Sequence, residues 1–477
     1  MGKTVNAFTD DALGTMDATS IAEAIATNKI SVEEAVEAAI ARAEKVNGEL
    51  NAIVIKMYDD ARKGSQQKAG GGLHGVPTFI KDTDGITGYP TQLGTGALKV
   101  KPAKNNSKFV NQFLSTGLRN LGKTTLPEFG LICSTENERW GITRNPWNTD
   151  YTTGGSSSGS AAMVASGVVP IASANDGAGS IRIPAAICGL VGLKPSRHRL
   201  HGIDGAEAMP LQLVHQGVLT RTVRDTALFY AEAEKYYSSA RMPKMGHVKH
   251  ASKQRLRIAF FENLPEGKTA SQDAETYKTQ KETAVLLQSL GHHIEQIPFP
   301  MDVDIMVNHF LNYYGFFSYM MSHWPRLVLK GKVDRSLLEP FTTGLAARFK
   351  ANALKLPTSI RAMKRIGTES EKLFHNYDVI MSPVLSHKTP KIGYFSTKLS
   401  SEDVTKRAVD FASYTGLNNV TGAPAISLPL GVDSEGMPLG VHFSAPYGFD
   451  KRLIELAYEL EEAKPWRFIY NLLLNNK

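Results

Sequence analysis

Two glycine-serine turns and one lysine carry the chemical interest of this sequence. The first turn reads GGSSSGS from Gly154 to Ser160, and the second reads NDGAGS from Asn175 to Ser180. The lysine is Lys81, directly after VPTFI (76–80). A serine hydroxyl is a weak nucleophile until a neighbouring group accepts its proton. Histidine, a carboxylate or a lysine can do so, the lysine only in its neutral form, which burial favours by disfavouring charge. An apolar strand ending at Lys81 carries it toward the interior, a suitable place for such a shift. Small residues around a serine have a mechanical use as well. Gly177, Ala178, Gly179 and Ser180 follow one another, so their N–H groups can converge as a nest on a developing oxyanion. Stabilising that charge is usually what accelerates acyl transfer most. The thirteen histidines include no H-E-x-x-H and no cluster at ligand spacing; the pair at 292–293 reads as a solvated helix-to-strand turn.

Such groups need elements to hold them. Ser31 and Glu34 form an S-x-x-E capping box that opens a helix. VPTFI predicts a short buried strand, and TGLRNLGKTTLPEFG a short helix and a strand edge. ENERWGITRNPWN reads as a polar, Trp-bearing loop. After the first serine turn, SAAMVASG has the small-residue composition of a closely packed helix. VVPIASA (168–174) then predicts a buried strand, with NDGAGS between it and IRIPAAICGLVGLKP. A helix over TVRDTALFYAEAEKYY follows, then a basic stretch without structure near 238–256, and RLRIAFFEN restarts a strand. Residues 270–375 read as mainly helical. DVIMSPV and a hairpin around Asp433–Gly436 return to strand, and DKRLIELAYELEEA predicts a last helix. The mixture predicts an α/β fold in one large domain over 1–477. Its parts are N-terminal helices about 10–65, a core about 70–230, a helical excursion about 270–375, and C-terminal strands and a helix about 376–470.

Composition excludes several classes. With 42% hydrophobic and 21% charged residues, 477 residues bury a core without disulfides or metal. The formal net charge of +8 is spread along the chain, with one local concentration at 244–257 and no arginine-rich arm, so no nucleic-acid partner is expected. The two cysteines, Cys133 and Cys188, form no C-x-x-C pair, which argues against a disulfide framework or a zinc ribbon. The first thirty residues lack the apolar run of a secretory signal. The most apolar tract, 305–324, contains Asn, His and Gly and makes a poor membrane span. A soluble cytoplasmic protein without a membrane partner is the expectation.

GGSSSGSAAMVASG followed by NDGAGSIRIPAAICGLVGLKPS resembles the signature of the amidase signature family of serine hydrolases. VPTFIKD is similar to that family's lysine motif, and NPWN and GAPAISLP match too, in the family's order over nearly the whole chain. The resemblance implies an open mixed sheet covered by helices on both faces. It also implies hydrolysis of a linear or cyclic amide to acid plus ammonia or amine, through a Ser–cis-Ser–Lys triad. Residue by residue, Lys81 becomes the base, Ser156 the bridging serine after a cis peptide, and Ser180 the nucleophile that carries the acyl group. The backbone N–H groups of Gly177, Ala178, Gly179 and Ser180 become the oxyanion hole. Ser157, Asp176 and Arg182 become supporting residues, the last two as a buried pair. No metal or organic cofactor is implied, the partner is a small-molecule amide, and a homodimer stays open.

Two departures stand out. Ser158 occupies a position where relatives usually have glycine, and Gly177-Ala178 replaces the common Thr-Gly, a change tolerated if Ala178 needs no positive φ. The second variant is similar to the branch of cyclic-amide and nylon-oligomer hydrolases, and to many general amidases. Ser134 and Thr135 of the CSTEN loop are candidates for the cleft lining. Core packing is the expected role of Cys133 and Cys188. The aromatic tract 305–324 is either core or the wall of an apolar substrate channel. One alternative is the glutaminase subunit of a tRNA-dependent amidotransferase, disfavoured by the departure from Asp-Thr-Gly-Gly-Ser. Another is a non-catalytic relative whose glycine turns hold an anion or other ligand at a helix N-terminus, weakened by the lack of G-x-G-x-x-G and G-x-x-x-x-G-K-[ST].

Overall fold

Eleven strands hydrogen-bond into one mixed sheet in the computed structural model, which describes residues 2–65, 70–264, 267–299, 302–329 and 331–474. In chain order they are β1 (Ile53–Lys56), β2 (Pro77–Lys81), β3 (Arg119–Thr124), β4 (Ile171–Asp176), β5 (Val191–Lys194), β6 (His215–Thr220), β7 (Arg257–Phe261), β8 (His293–Ile297), β9 (Val379–Pro383), β10 (Ala425–Val432) and β11 (Pro438–Ser444). Across the sheet the order is β1-β3-β2-β4-β6-β5-β10-β11-β9-β7-β8. β2 runs parallel to both its neighbours, β3 and β4, and β7 parallel to β8 and β9. The other pairs are antiparallel. β2, β4, β5, β6 and β9 are buried along their whole length. Burial of both alternating side-chain sets requires cover on both faces, and helices supply it, as the sequence predicts.

This topology decides where chemistry gathers. Parallel β2 and β4 are adjacent and end at the same edge of the sheet, so Lys81, the last residue of β2, and Asp176, the last of β4, come together. Helix α1 (Val32–Leu50) opens with the Ser31–Glu34 capping box. Helix α2 (Ser158–Ala165) leaves the first serine turn, and α3 (Arg182–Cys188) leaves the second. Every residue of α2 and α3 is buried. The small side chains of SGSAAMVA explain this: Gly159 lies against the backbone of Ala52 and Thr125, where a Cβ has no room.

Several boundaries differ from the sequence expectation. The strand in VVPIASA begins only at Ile171, after Pro170, and continues through Asn175 and Asp176. The strand of NLGKTT is not at an edge; it lies between β1 and β2. The region 270–375 is largely helical, including α4 (Val303–His323), α5 (Pro340–Ala351) and α6 (Leu356–Glu371), yet it also contains β8, which closes the sheet. His292 is not solvated. It is 4% exposed, accepts from the Leu256 N–H at 3.0 Å and faces Glu459 at 3.0 Å. The hairpin forms as expected, with Gly436 at φ +80. Among the described residues no helix is long and apolar enough to cross a membrane.

Candidate active site

Lys81 is fully buried and its amine has three oxygen neighbours. Ser156 Oγ stands at 2.7 Å, Asn175 Oδ1 at 2.7 Å and Ser157 Oγ at 3.1 Å. Burial pushes the amine down to about 7, against the opposing charges of Asp176 and Asp84. The Gly155–Ser156 bond is cis, and Ser156 is 2% exposed. Ser157 donates to the Ser180 carbonyl at 2.6 Å, so the two serine turns are tied together at the lysine.

The second turn is organised by Asp176. Its carboxylate accepts from the Gly179 N–H at 2.7 Å and the Ile181 N–H at 3.1 Å, and it receives the Arg182 guanidinium at 2.8 and 2.9 Å. Burial alone raises such a carboxyl, but the Arg182 charge and hydrogen bonds outweigh it and hold Asp176 well below the usual carboxylate range. Arg182 is itself fully buried and also reaches Asn419 Oδ1 at 2.8 Å and His442 Nε2 at 3.0 Å. Asn419 returns a donor to the Asp176 carbonyl at 2.7 Å, and Thr415 donates to the Ala178 carbonyl at 2.5 Å. The turn is therefore fixed from both sides, with Ser180 8% exposed at its end.

Two sequence expectations change here. The Gly179 N–H is committed to Asp176 and leaves the expected oxyanion set. Among the described residues no hydrogen bond engages the N–H groups of Gly177, Ala178 or Ser180, and Ala178 has no positive φ. Ser134 and Thr135 do not offer free hydroxyls to a cleft. Ser134 is bound to Thr152 at 2.8 Å and to Glu136 at 3.0 Å, and Thr135 to Ser158 at 2.6 Å. Both are almost fully buried behind the first serine turn. Ser158 donates to the Gly154 carbonyl at 2.5 Å, so the hydroxyl that replaces the family glycine braces the turn. Asp176 and Arg182 form the buried pair that the resemblance implies. Cys133 and Cys188 are buried, unpaired thiols, and burial raises Cys133 to about 12.

The chain is similar to known proteins over nearly its whole length. Residues 34–454 match the amidase family. The chain belongs to the amidase signature family. The AmiC protein of Mycobacterium tuberculosis strain H37Rv, provisionally named an amidase, is 44% identical over 98% of this chain and 98% of its own. The 6-aminohexanoate-cyclic-dimer hydrolase of Paenarthrobacter ureafaciens is 30% identical over 94% of this chain and 95% of its own. The solved structure of a 6-aminohexanoate cyclic dimer hydrolase with its substrate has a TM-score of 0.85 at 29% identity, covering 95% of this chain and 98% of that one. A bacterial aryl acylamidase superposes with a TM-score of 0.82 at 26% identity, covering 96% and 98%. The protein is an amide-hydrolysing enzyme.

Around the serine turns of this amidase lie residues that sequence reasoning passed over. Asn175, Thr415, Asn419 and His442 carry no local motif beyond their places in NDGAGS, TGLNN and GVHFS. Gly130 is another. It stands at φ +68, and a Cβ there would lie 3.2 Å from Ser156 Oγ. Its carbonyl accepts from the Tyr314 hydroxyl at 3.3 Å. Tyr314 stacks on Phe310 with ring centroids 5.5 Å apart, and Phe310 lies beside Gly416, next to the Thr415 that holds Ala178. Both rings are half-buried. Phe310 and Tyr314 thus reach the serine turns while also packing on core clusters, Phe310 on that of Leu211, Leu213, Tyr313 and Met363 and Tyr314 on that of Phe129 and Leu131. Gly130→Ala is expected to lower kcat about tenfold, by crowding Ser156 as well as straining a left-handed position at a cost of about 1 kcal/mol. Kinetics on a turned-over amide, with a thermal melt beside it, check this; kcat at the wild-type level contradicts the tight approach.

Proposed function

We propose that this amidase works through Lys81, Ser156 and Ser180 and acts on aryl and cyclic amides. The observation that carries the catalytic part is the set of three oxygens around the Lys81 amine. A neutral amine has two N–H donors and one lone pair. Ser157 spends its proton on the Ser180 carbonyl, and Asn175 Oδ1 can only accept. Both therefore take an N–H from Lys81, and the lone pair is left for the Ser156 hydroxyl. Ser156 gives its proton to Lys81 and takes one from Ser180 as Ser180 attacks the amide carbon. The N–H groups of Gly177, Ala178 and Ser180 stabilise the oxyanion. The same relay run backwards protonates the leaving nitrogen, and water then releases the acid from Ser180.

The substrate class rests on the Phe310–Tyr314 stack beside the turn. The names of the cyclic-dimer hydrolase and the aryl acylamidase support it. A cytoplasmic location is supported by two buried, unpaired cysteines.

The test uses the purified protein alone with short aliphatic, aryl, amino-acid and cyclic amides and glutamine, reading ammonia or amine release. Preference for aryl or cyclic amides is expected, and Phe310→Ala should raise KM for those about tenfold while short aliphatic amides change little. Turnover of short amides only would remove the substrate class. Silence of the lone chain on the whole panel would favour a partner-dependent subunit.

A further inference from the structure

The proposed catalysis leaves open what makes Asn175 present its oxygen, rather than its amide nitrogen, to Lys81. Asn175 Nδ2 lies 2.7 Å from Thr83 Oγ1, and Thr83 Oγ1 donates to Asp84 Oδ2 at 3.0 Å. An ionised carboxylate is acceptor-only, so the Thr83 proton must point at Asp84. Thr83 then accepts from Asn175 Nδ2, which turns Oδ1 toward the lysine. We propose that Asp84, Thr83 and Asn175 form a positioning relay whose hydrogen-bond polarity directs the Lys81 lone pair at Ser156. The relay rests on the catalytic reading above.

Asp84 is 3% exposed. Its other partners are Gln216 Nε2 of β6 at 2.9 Å and Ser107 Oγ at 3.3 Å. The cations that reach it are Lys123 of β3, itself paired with Asp82 at 2.6 Å, and Lys81. His215, beside Gln216 on β6, is held neutral by burial and by the nearby charges of Lys194 and Arg197. Facing Lys81 are Asp84 and, from the end of β4, Asp176 with its partner Arg182. Burial lifts Asp84 to about 6. When it takes up a proton it becomes a donor to Thr83, the polarity of the chain can reverse, and Asn175 can turn its nitrogen to the lysine. The lone pair then has to accept from Asn175 instead of Ser156.

A fluorophosphonate probe that phosphonylates an activated serine reads this without a known substrate. The limiting rate constant and the half-saturating concentration of labelling are measured across pH for wild type, Thr83→Val, Thr83→Ser and Asp84→Asn. Thr83→Val should slow the limiting rate about 10- to 100-fold with half-saturation unchanged, as a misdirected proton acceptor does, while the thermal midpoint falls modestly because Asn175 and Asp84 each lose a hydrogen bond. Thr83→Ser, which keeps the hydroxyl, should recover most of the rate. Asp84→Asn removes a negative charge facing Lys81, so the acid limb should move to lower pH by roughly half a unit or more. Equal slowing by Val and Ser would assign Thr83 to packing and overturn the relay. So would wild-type rates in Thr83→Val, or an Asp84→Asn profile that superposes on wild type. A wild type that is not labelled at all overturns the catalytic reading and the relay with it.

Discussion

Ser180→Ala is expected to lose about 10⁴- to 10⁶-fold in amide turnover and to give no fluorophosphonate adduct, with its thermal midpoint close to wild type. The two halves of that result have separate causes. Ser180 is the most exposed of the three proposed catalytic residues, at 8%, and its side chain makes no hydrogen bond to another described residue. Removing the oxygen therefore leaves no buried partner unsatisfied. The contacts that fix the turn all go through backbone atoms of residues 176–182 or through Asp176 and Arg182, and alanine keeps every one of them. The loss in rate follows because no acyl-enzyme can form. Ser156→Ala separates the roles further: it should still bind amides but lose the route from Ser180 to Lys81. Near-normal turnover in Ser180→Ala would move the nucleophile elsewhere, and Ser156 would then be the first position to label.

The same contacts show why part of the site could be read from the sequence and part could not. Ser156 and Ser180 stand out because their neighbours are small residues in an unusual order, required by close backbone approach, and Lys81 because it ends the apolar strand VPTFI. Asn175 and Asp176 misled the strand assignment. They are polar residues at the end of a buried strand, and what makes them tolerable there is Lys81 and Arg182, whose side chains supply the partners. Ser134 and Thr135 have the composition of a cleft wall, but Thr152 and Ser158 take up their hydroxyls from behind. β8 escaped notice because HIEQI is an edge strand with mostly exposed or half-exposed positions and no alternating apolar face. The Phe310–Tyr314 pair reads as one apolar run with Tyr313 and Phe316. Only the direction of α4 against Gly130 and Gly416 brings Phe310 and Tyr314 next to the serine turns.

Lys81→Ala is expected to cost about 10²- to 10⁴-fold in kcat/KM, the usual worth of a positioned general base. In the wild type kcat/KM should rise with pH through about 7, where burial has placed the amine. The sign follows from the lone pair. Below that value the amine carries a third N–H and has nothing with which to accept the Ser156 proton, so activity falls toward tenfold per pH unit. Above it the neutral form saturates and the profile is flat. Asp84, lifted to about 6, titrates in the same acid limb; its protonation removes a negative charge near Lys81, which favours the neutral amine, and at the same time disturbs Asn175, which slows that form, so the limb should depart from a single titration. Lys81→Ala should lose this dependence together with the rate, because no lysine remains to titrate. A variant that keeps both the wild-type rate and the rise through neutrality would show that another group accepts the serine proton. A wild-type profile that stays flat down to pH 5 would place the working lysine pKa far lower and separate activity from its titration near neutrality.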